Sequence, residues 1–90
     1  MKILHVEGGR HLYGGALQVV FLLRGLQQRG IDCTLVCPPD AAVGRAAAAY
    51  ARVRELPLGG DADIGQRARL ARLLREERPA LVHLHSRRGV

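Results

Sequence analysis

Four short apolar runs alternate with three stretches of helical periodicity, and this alternation constrains the fold more than any other feature of the sequence. The runs predict strands over about Lys2–Glu7, Asp32–Cys37, Val53–Leu56 and Ala80–His85. The stretches between them predict helices over about Gly15–Arg29, Ala41–Arg52 and Ile64–Arg78. Such an order is typical of an open parallel α/β sheet with helices on both faces and right-handed crossovers. The simplest arrangement is Rossmann-like, with strand order 3-2-1-4.

Local signals support several of these boundaries. Gly30 suits the position just after the first helix, and Pro79 ends the third. Asp40 is a candidate cap for the second helix, and Asp63 for the third. In the first helix the apolar stripe is broad, which predicts that this helix is well buried. The residues that broaden it are Leu17, Phe21 and Leu22.

Composition limits both the size of the protein and its partners. The chain has 90 residues, of which 48% are hydrophobic and 3% aromatic, enough for one small domain with one core. Its net charge of +6 comes mostly from arginines scattered along the helices. Scattered cations with few aromatic residues favour a solvated surface over a nucleic-acid interface, so no specific nucleic-acid partner is expected. Binding through the arginines remains a third hypothesis, which predicts a steep salt dependence.

The two cysteines predict buried, reduced thiols. Cys33 and Cys37 alternate with Leu35, so all three should share one face of a strand, where a disulfide between neighbours is strained. No second Cys/His pair with zinc spacing completes a site, and neither a metal nor a cofactor is expected. Reduced thiols suit the cytoplasm. A signal peptide is not expected, because the apolar stretch after Lys2 is short and is broken by His5 and Glu7. No apolar run approaches the roughly 20 residues of a membrane-spanning helix.

The pair Gly14-Gly15 lies between the first strand and the first helix. Free N–H groups at a helix N-terminus hold anions well, and a residue without Cβ lets a phosphate approach closely. The pair belongs neither to the dinucleotide fingerprint nor to a P-loop. From the residues alone, a turn that merely needs glycine remains an equal alternative.

Other polar residues are expected at the same edge of the sheet. His83 and His85 share a strand face, and His85 at its carboxyl end could accept a proton or hydrogen-bond a sugar hydroxyl. A histidine satisfied within the core or at the edge is the alternative. His5 is a weaker candidate within the first strand. Ligands of such sheets bind beyond the carboxyl ends of the strands, where the strand order reverses, so Gly14-Gly15 and His85 should meet in one crevice.

Two parts of the sequence carry longer motifs. The first consists of a strand, a glycine turn and the end of a helix, at Lys2–Val6, Gly14–Ala16 and Leu23–Val36; the second is Arg78–Ser86. The first resembles the opening of family 4 glycosyltransferases, whose helix ends in L-x-x-R-G-H-x-V, and the second is similar to that family's R-P-D-I-V-H-x-H-S segment. Leu17, Ile31 and Ala80 depart from residues common in the family, but the glycines and His85 are retained.

The resemblance implies a GT-B architecture of two Rossmann-like domains. Residues 1–90 would form the first part of the N-terminal, acceptor-side domain, without the C-terminal nucleotide-sugar-binding domain. The implied activity is retaining, metal-independent transfer of a hexosyl unit from a nucleotide-sugar donor, and the fragment alone would be inactive. The acceptor would be a sugar or lipid-linked molecule in polysaccharide, lipopolysaccharide or other glycoconjugate synthesis. The expected location is the cytoplasm, with peripheral contact at the inner face of the cell membrane.

The resemblance also assigns site residues. His85 would be catalytic, and Gly14 and Gly15 would approach the donor phosphates. Candidate acceptor-binding residues are Arg10, His11, Ser86 and Arg87. An incomplete sheet would expose a strand edge, through which copies of the chain could associate. The alternative function is a non-catalytic Rossmann-like module that binds a nucleotide or another anion.

Overall fold

The computed structural model describes residues 2–8, 14–56 and 64–85, and the four strands in this part of the chain form one parallel sheet. The strand order is β3-β2-β1-β4, which confirms the Rossmann-like α/β class and the predicted order 3-2-1-4. The elements are β1 (Lys2–Glu7), α1 (Gly14–Gln28), β2 (Asp32–Cys37), α2 (Ala42–Ala47), β3 (Arg52–Glu55), α3 (Ile64–Glu77) and β4 (Leu81–His85).

The core lies on both faces of the sheet, because side chains alternate along each strand. On one face α1 and α2 pack over Ile3 of β1 and over Cys33, Leu35 and Cys37 of β2. On the other face α3 packs over β1 and β2; the cluster there contains Leu4, Val36, Leu70, Leu73 and Leu74. The shared face predicted for the two cysteines and Leu35 is therefore confirmed. Both cysteines are free and buried, and burial raises the pKa of the Cys37 thiol to about 11.

Both ends of α1 lie within one residue of their predicted positions. The helix begins at Gly14, one residue before the predicted start, and finishes in a Schellman motif. Gly30 has a φ of 77° and donates to the carbonyl of Gln27 at 2.9 Å, while Ile31 donates to the carbonyl of Leu26 at 3.0 Å. This left-handed backbone at Gly30 is where glycine is needed.

Two predictions about the second helix are wrong. The helix covers Ala42–Ala47 rather than Ala41–Arg52, and Asp40 does not cap it. Asp40 adopts a φ of 59°, and Ala41 takes the N-cap position without a side-chain hydrogen bond. The chain turns after Ala47, whose carbonyl accepts bonds from the N–H groups of Tyr50 and Ala51. The predicted cap at Asp63 lies outside the described residues.

The first helix is buried on one side only. Its sheet-facing residues are Ala16, Val19, Val20 and Leu23, whereas Phe21 is 57% exposed. Leu17 and Leu22 are also exposed, so the predicted widening of the buried stripe does not occur. The reason is that α1 contacts the sheet with one side, and these three side chains lie outside that contact.

Strand β4 is an edge strand within the described part of the chain, because it pairs with β1 and with no other described strand. It also carries exposed apolar side chains: Leu81, Val82 and Leu84. Across the described ranges, no helix is both long and apolar enough to cross a membrane.

A buried carboxylate at the end of α3 ties that helix to the sheet. Glu77 is 7% exposed and accepts a hydrogen bond from Lys2 Nζ at 2.9 Å and another from Arg54 Nη1 at 2.6 Å. Lys2 Nζ also donates to the backbone carbonyl of Glu77 at 2.9 Å. The hydrogen bond from Lys2, followed by that from Arg54, lowers the pKa of the Glu77 carboxyl. One side chain thus joins α3 to β1 and β3.

We expect Glu77→Gln to lower the free energy of unfolding by about 2 kcal/mol. Lys2 and Arg54 would lose their anionic partner, but both cations still reach solvent, which limits the cost. Urea denaturation at neutral pH measures the change. Glu76→Gln is the matched control, because exposed Glu76 also binds Arg54, at 3.1 Å, and should matter little. Equal effects from the two substitutions would contradict the role of Glu77.

Candidate functional site

A cleft of about 470 Å³ opens between the start of α1 and the carboxyl ends of β1 and β4. Gly15 contributes the first turn of α1, and His85 is the last residue of β4. The two residues therefore line one cleft, at the point where the strand order reverses, as the topology predicts. The residues that line it are Glu7, Gly15, Gln18, Val19, Leu22, His83, Leu84 and His85.

The glycine pair forms the first two residues of α1. Neither Gly14 nor Gly15 has a positive φ, so the backbone conformation does not require glycine there. A Cβ added to Gly14 would meet nothing within 4 Å. The first N–H groups of α1 lack acceptors within the helix. The described structure therefore gives no internal reason for glycine at position 14, and the missing side chain leaves room beside the free N–H groups.

The four candidate acceptor-binding residues lie outside the described residues. Their roles therefore stay predictions. They are Arg10, His11, Ser86 and Arg87.

Three histidines on two neighbouring strands come together, and two of them, His83 and His85, line the cleft. His5 of β1 pairs in register with His83 of β4, and His85 lies two residues further along the same face. His5 Nδ1 and His85 Nε2 are 3.0 Å apart, and the rings of His83 and His85 stack with centroids 3.9 Å apart. His5 is 1% exposed, whereas His85 is half-buried and His83 is exposed. We call this group the histidine cluster.

The surroundings of His5 and His85 favour the neutral form of both rings. Burial, followed by the nearby His85 and His83, lowers the pKa of His5 to about 4. Burial and His83 also lower the pKa of His85. A neutral imidazole carries one N–H donor and one lone-pair acceptor, so one nitrogen of the His5–His85 pair donates and the other accepts. Buried Nε2 of His5 has no hydrogen-bond partner among the described residues.

The sequence-based prediction ranks His5 low and omits Glu7. For His5 a signal was available, because the predicted strand order already places β1 beside the strand that carries His83 and His85. Glu7 is absent from the prediction; it pairs in register with His85, is 2% exposed and lines the cleft. A carboxylate is a good acceptor for sugar hydroxyl groups. The cleft lining therefore combines the first turn of α1, two imidazoles and a carboxylate.

Comparison with known families agrees with this geometry. The family model described as Glycosyltransferase Family 4 matches residues 13–89, which include both Gly14-Gly15 and the segment that ends at His85. No curated protein gives a significant match to the chain. Because the family match spans well over half of the sequence, and the fold and the strand order agree with the resemblance, the chain belongs to Glycosyltransferase Family 4.

Proposed function

We propose that this chain is the first part of the acceptor-side domain of a GT-B glycosyltransferase. The enzyme would transfer a hexosyl unit from a nucleotide-sugar donor to a sugar or lipid-linked acceptor, with retention and without a metal. The observation that carries the proposal is that Gly15 and His85 line the same cleft in a chain of this family. The acceptor would belong to polysaccharide, lipopolysaccharide or other glycoconjugate synthesis, at the cytoplasmic face of the membrane.

The phosphate role of the glycines follows from the first turn of α1. Gly14 and Gly15 carry no side chains of their own, their backbone N–H groups lie in the first turn of α1, and the positive end of the helix dipole favours an anion there. Contacts to the sugar and base of the donor would come from a second domain across the cleft. Donor binding would therefore need both domains, and the 90-residue chain alone would not transfer sugar.

The reacting sugar and the acceptor would lie towards β4. A neutral His85 can accept a proton or a hydrogen bond from a hydroxyl group, and Glu7 can accept a further one. Arg10, His11, Ser86 and Arg87 would add acceptor contacts around this position. Glu7 would disfavour a phosphate close to its carboxylate, which supports placing the donor phosphates at the glycines instead.

Replacing Gly15 with valine tests the phosphate role. In the complete transferase we expect Gly15→Val to weaken nucleotide-sugar binding about tenfold, equivalent to about 1.4 kcal/mol, because the side chain would keep the phosphates from the N–H groups. Isothermal titration calorimetry measures the affinity. Gly25→Val is the matched control, because an added Cβ at Gly25 of α1 meets nothing within 4 Å and Gly25 is absent from the cleft lining.

The outcomes separate the two hypotheses. Unchanged donor affinity in Gly15→Val would contradict the phosphate role. If the 90-residue chain alone bound nucleotide sugars as tightly as the complete protein, a self-sufficient anion-binding module would be favoured instead. A reading frame that continues past Val90 into a second Rossmann-like half would support the transferase.

A further inference from the structure

We propose that the histidine cluster of His5, His83 and His85 binds one divalent transition-metal ion of the Zn²⁺ type. One ring nitrogen from each residue lies within 4.8 Å of the others. The sequence does not predict this site, because its three ligands come from two strands that are distant along the chain and lack the usual zinc spacing.

The distances are close to those that a metal requires. With Zn–N bonds of about 2.0–2.1 Å and tetrahedral angles, ligand nitrogens lie roughly 3.4 Å apart. His5 Nδ1 and His85 Nε2 are already 3.0 Å apart. Side-chain rotation of exposed His83 can bring its nitrogen closer without moving the strands. The parallel β1–β4 pairing holds the three Cα positions on one face.

The chemistry of the site suits a transition metal better than Mg²⁺ or Ca²⁺. Imidazole nitrogens favour zinc, copper, nickel and iron, whereas Mg²⁺ and Ca²⁺ prefer oxygen ligands. Without metal, two rings share one hydrogen bond between facing nitrogens. With metal, both nitrogens offer lone pairs, and the ring that donated carries its proton on its other nitrogen. Three histidine ligands then leave a fourth position for water or a ligand in the cleft.

Metal binding would have a consequence that rests on the proposed function. If Nε2 of His85 binds the metal, the neutral ring carries its proton on Nδ1, and Nδ1 could then no longer accept a proton or hydrogen bond from a sugar hydroxyl. Zn²⁺ would then inhibit transfer rather than assist it, consistent with a metal-independent reaction. Binding itself does not depend on transferase activity, so it can be measured separately.

Titrating the 90-residue chain with Zn²⁺ against a chromophoric chelator tests the proposal. We expect one ion per chain, and we expect His83→Ala to weaken its binding tenfold or more, because a ligand is lost. His83 is exposed, so this variant should fold, which circular dichroism checks. Cys33→Ala is the matched control, because it removes a buried possible metal ligand that is not part of the cluster, and it should leave the affinity unchanged.

The identity of the ligands is tested with Co²⁺ in place of Zn²⁺. Nitrogen ligation predicts ligand-field bands in the visible spectrum, without the thiolate-to-cobalt charge transfer that Cys33 or Cys37 would produce. Absence of Zn²⁺ binding, equal affinity in His83→Ala, or a thiolate spectrum would each overturn the proposal. Failure of sugar transfer to respond to Zn²⁺, with binding intact, would count against the proposed role of His85 alone.

Discussion

The free energy of unfolding should fall by about 3 kcal/mol as the pH decreases from about 6.5 to about 4, because His5 is buried as a neutral ring. Its pKa drops from the usual 6.5 to about 4 in the folded chain, and burial is the main cause. Between these values the unfolded chain binds a proton at His5 that the folded chain does not. Stability therefore rises with pH across this window, is complete above it and is lost as the pH falls. The same direction applies to His85.

Urea denaturation at a series of pH values measures this effect, with a chelator present to exclude metal ions. His5→Leu removes the titrating ring, so its stability should depend much less on pH between 6.5 and 4. Glu77, whose lowered pKa makes its own contribution decline as the pH falls below about 4.5, is present in both proteins, so that contribution cancels in the comparison. Parallel curves for the two proteins would contradict the assignment to His5.

Replacing His85 with alanine should reduce turnover of the complete transferase about 100-fold or more and change donor affinity little. The cleft then loses the imidazole that is proposed to accept a proton or hydrogen bond from a reacting hydroxyl group. The nitrogen proposed to serve the ligand is Nδ1, because Nε2 lies 3.0 Å from His5 Nδ1. Initial rates with saturating donor, together with calorimetric donor affinity, separate the two effects.

The conservative variant His85→Gln distinguishes the two roles of the ring. Its amide can replace a hydrogen bond but cannot accept a proton. Partial recovery of turnover would assign His85 to hydrogen bonding, whereas no recovery would assign it to proton transfer. Full activity in His85→Ala would eliminate the residue from the reaction.

Much of the fold follows from local patterns in the sequence. The alternation of apolar runs and helical stretches predicts the sheet order, since right-handed crossovers leave few arrangements. Gly30 correctly predicts the end of α1. The predicted second helix is too long, because the high helix propensity of its alanines gives no sign of the early turn after which β3 pairs with β2. The backbone at Asp40, with its positive φ, likewise depends on that turn region.

The candidate site is only partly predictable. The topology brings Gly15 and His85 to one cleft, because Gly15 comes after the carboxyl end of β1 and His85 lies at the carboxyl end of the adjacent parallel strand β4. The sequence does not reveal that His5 is the register partner of His83, nor that Glu7 enters the same cleft. Pairing register is a property of two strands together, and a shift by one residue would turn every side chain to the opposite face.

The sequence by itself determined the order of strands and helices, the glycine pair at the start of α1, and the two segments that resemble the family. Each of these depends on residues close together in the chain or on simple rules of connection. Only the tertiary structure decided the histidine cluster and the burial of His5, Glu7 and Glu77. Those features arise where strands and helices distant in sequence meet, and the lowered pKa values of His5 and Glu77 depend on that contact.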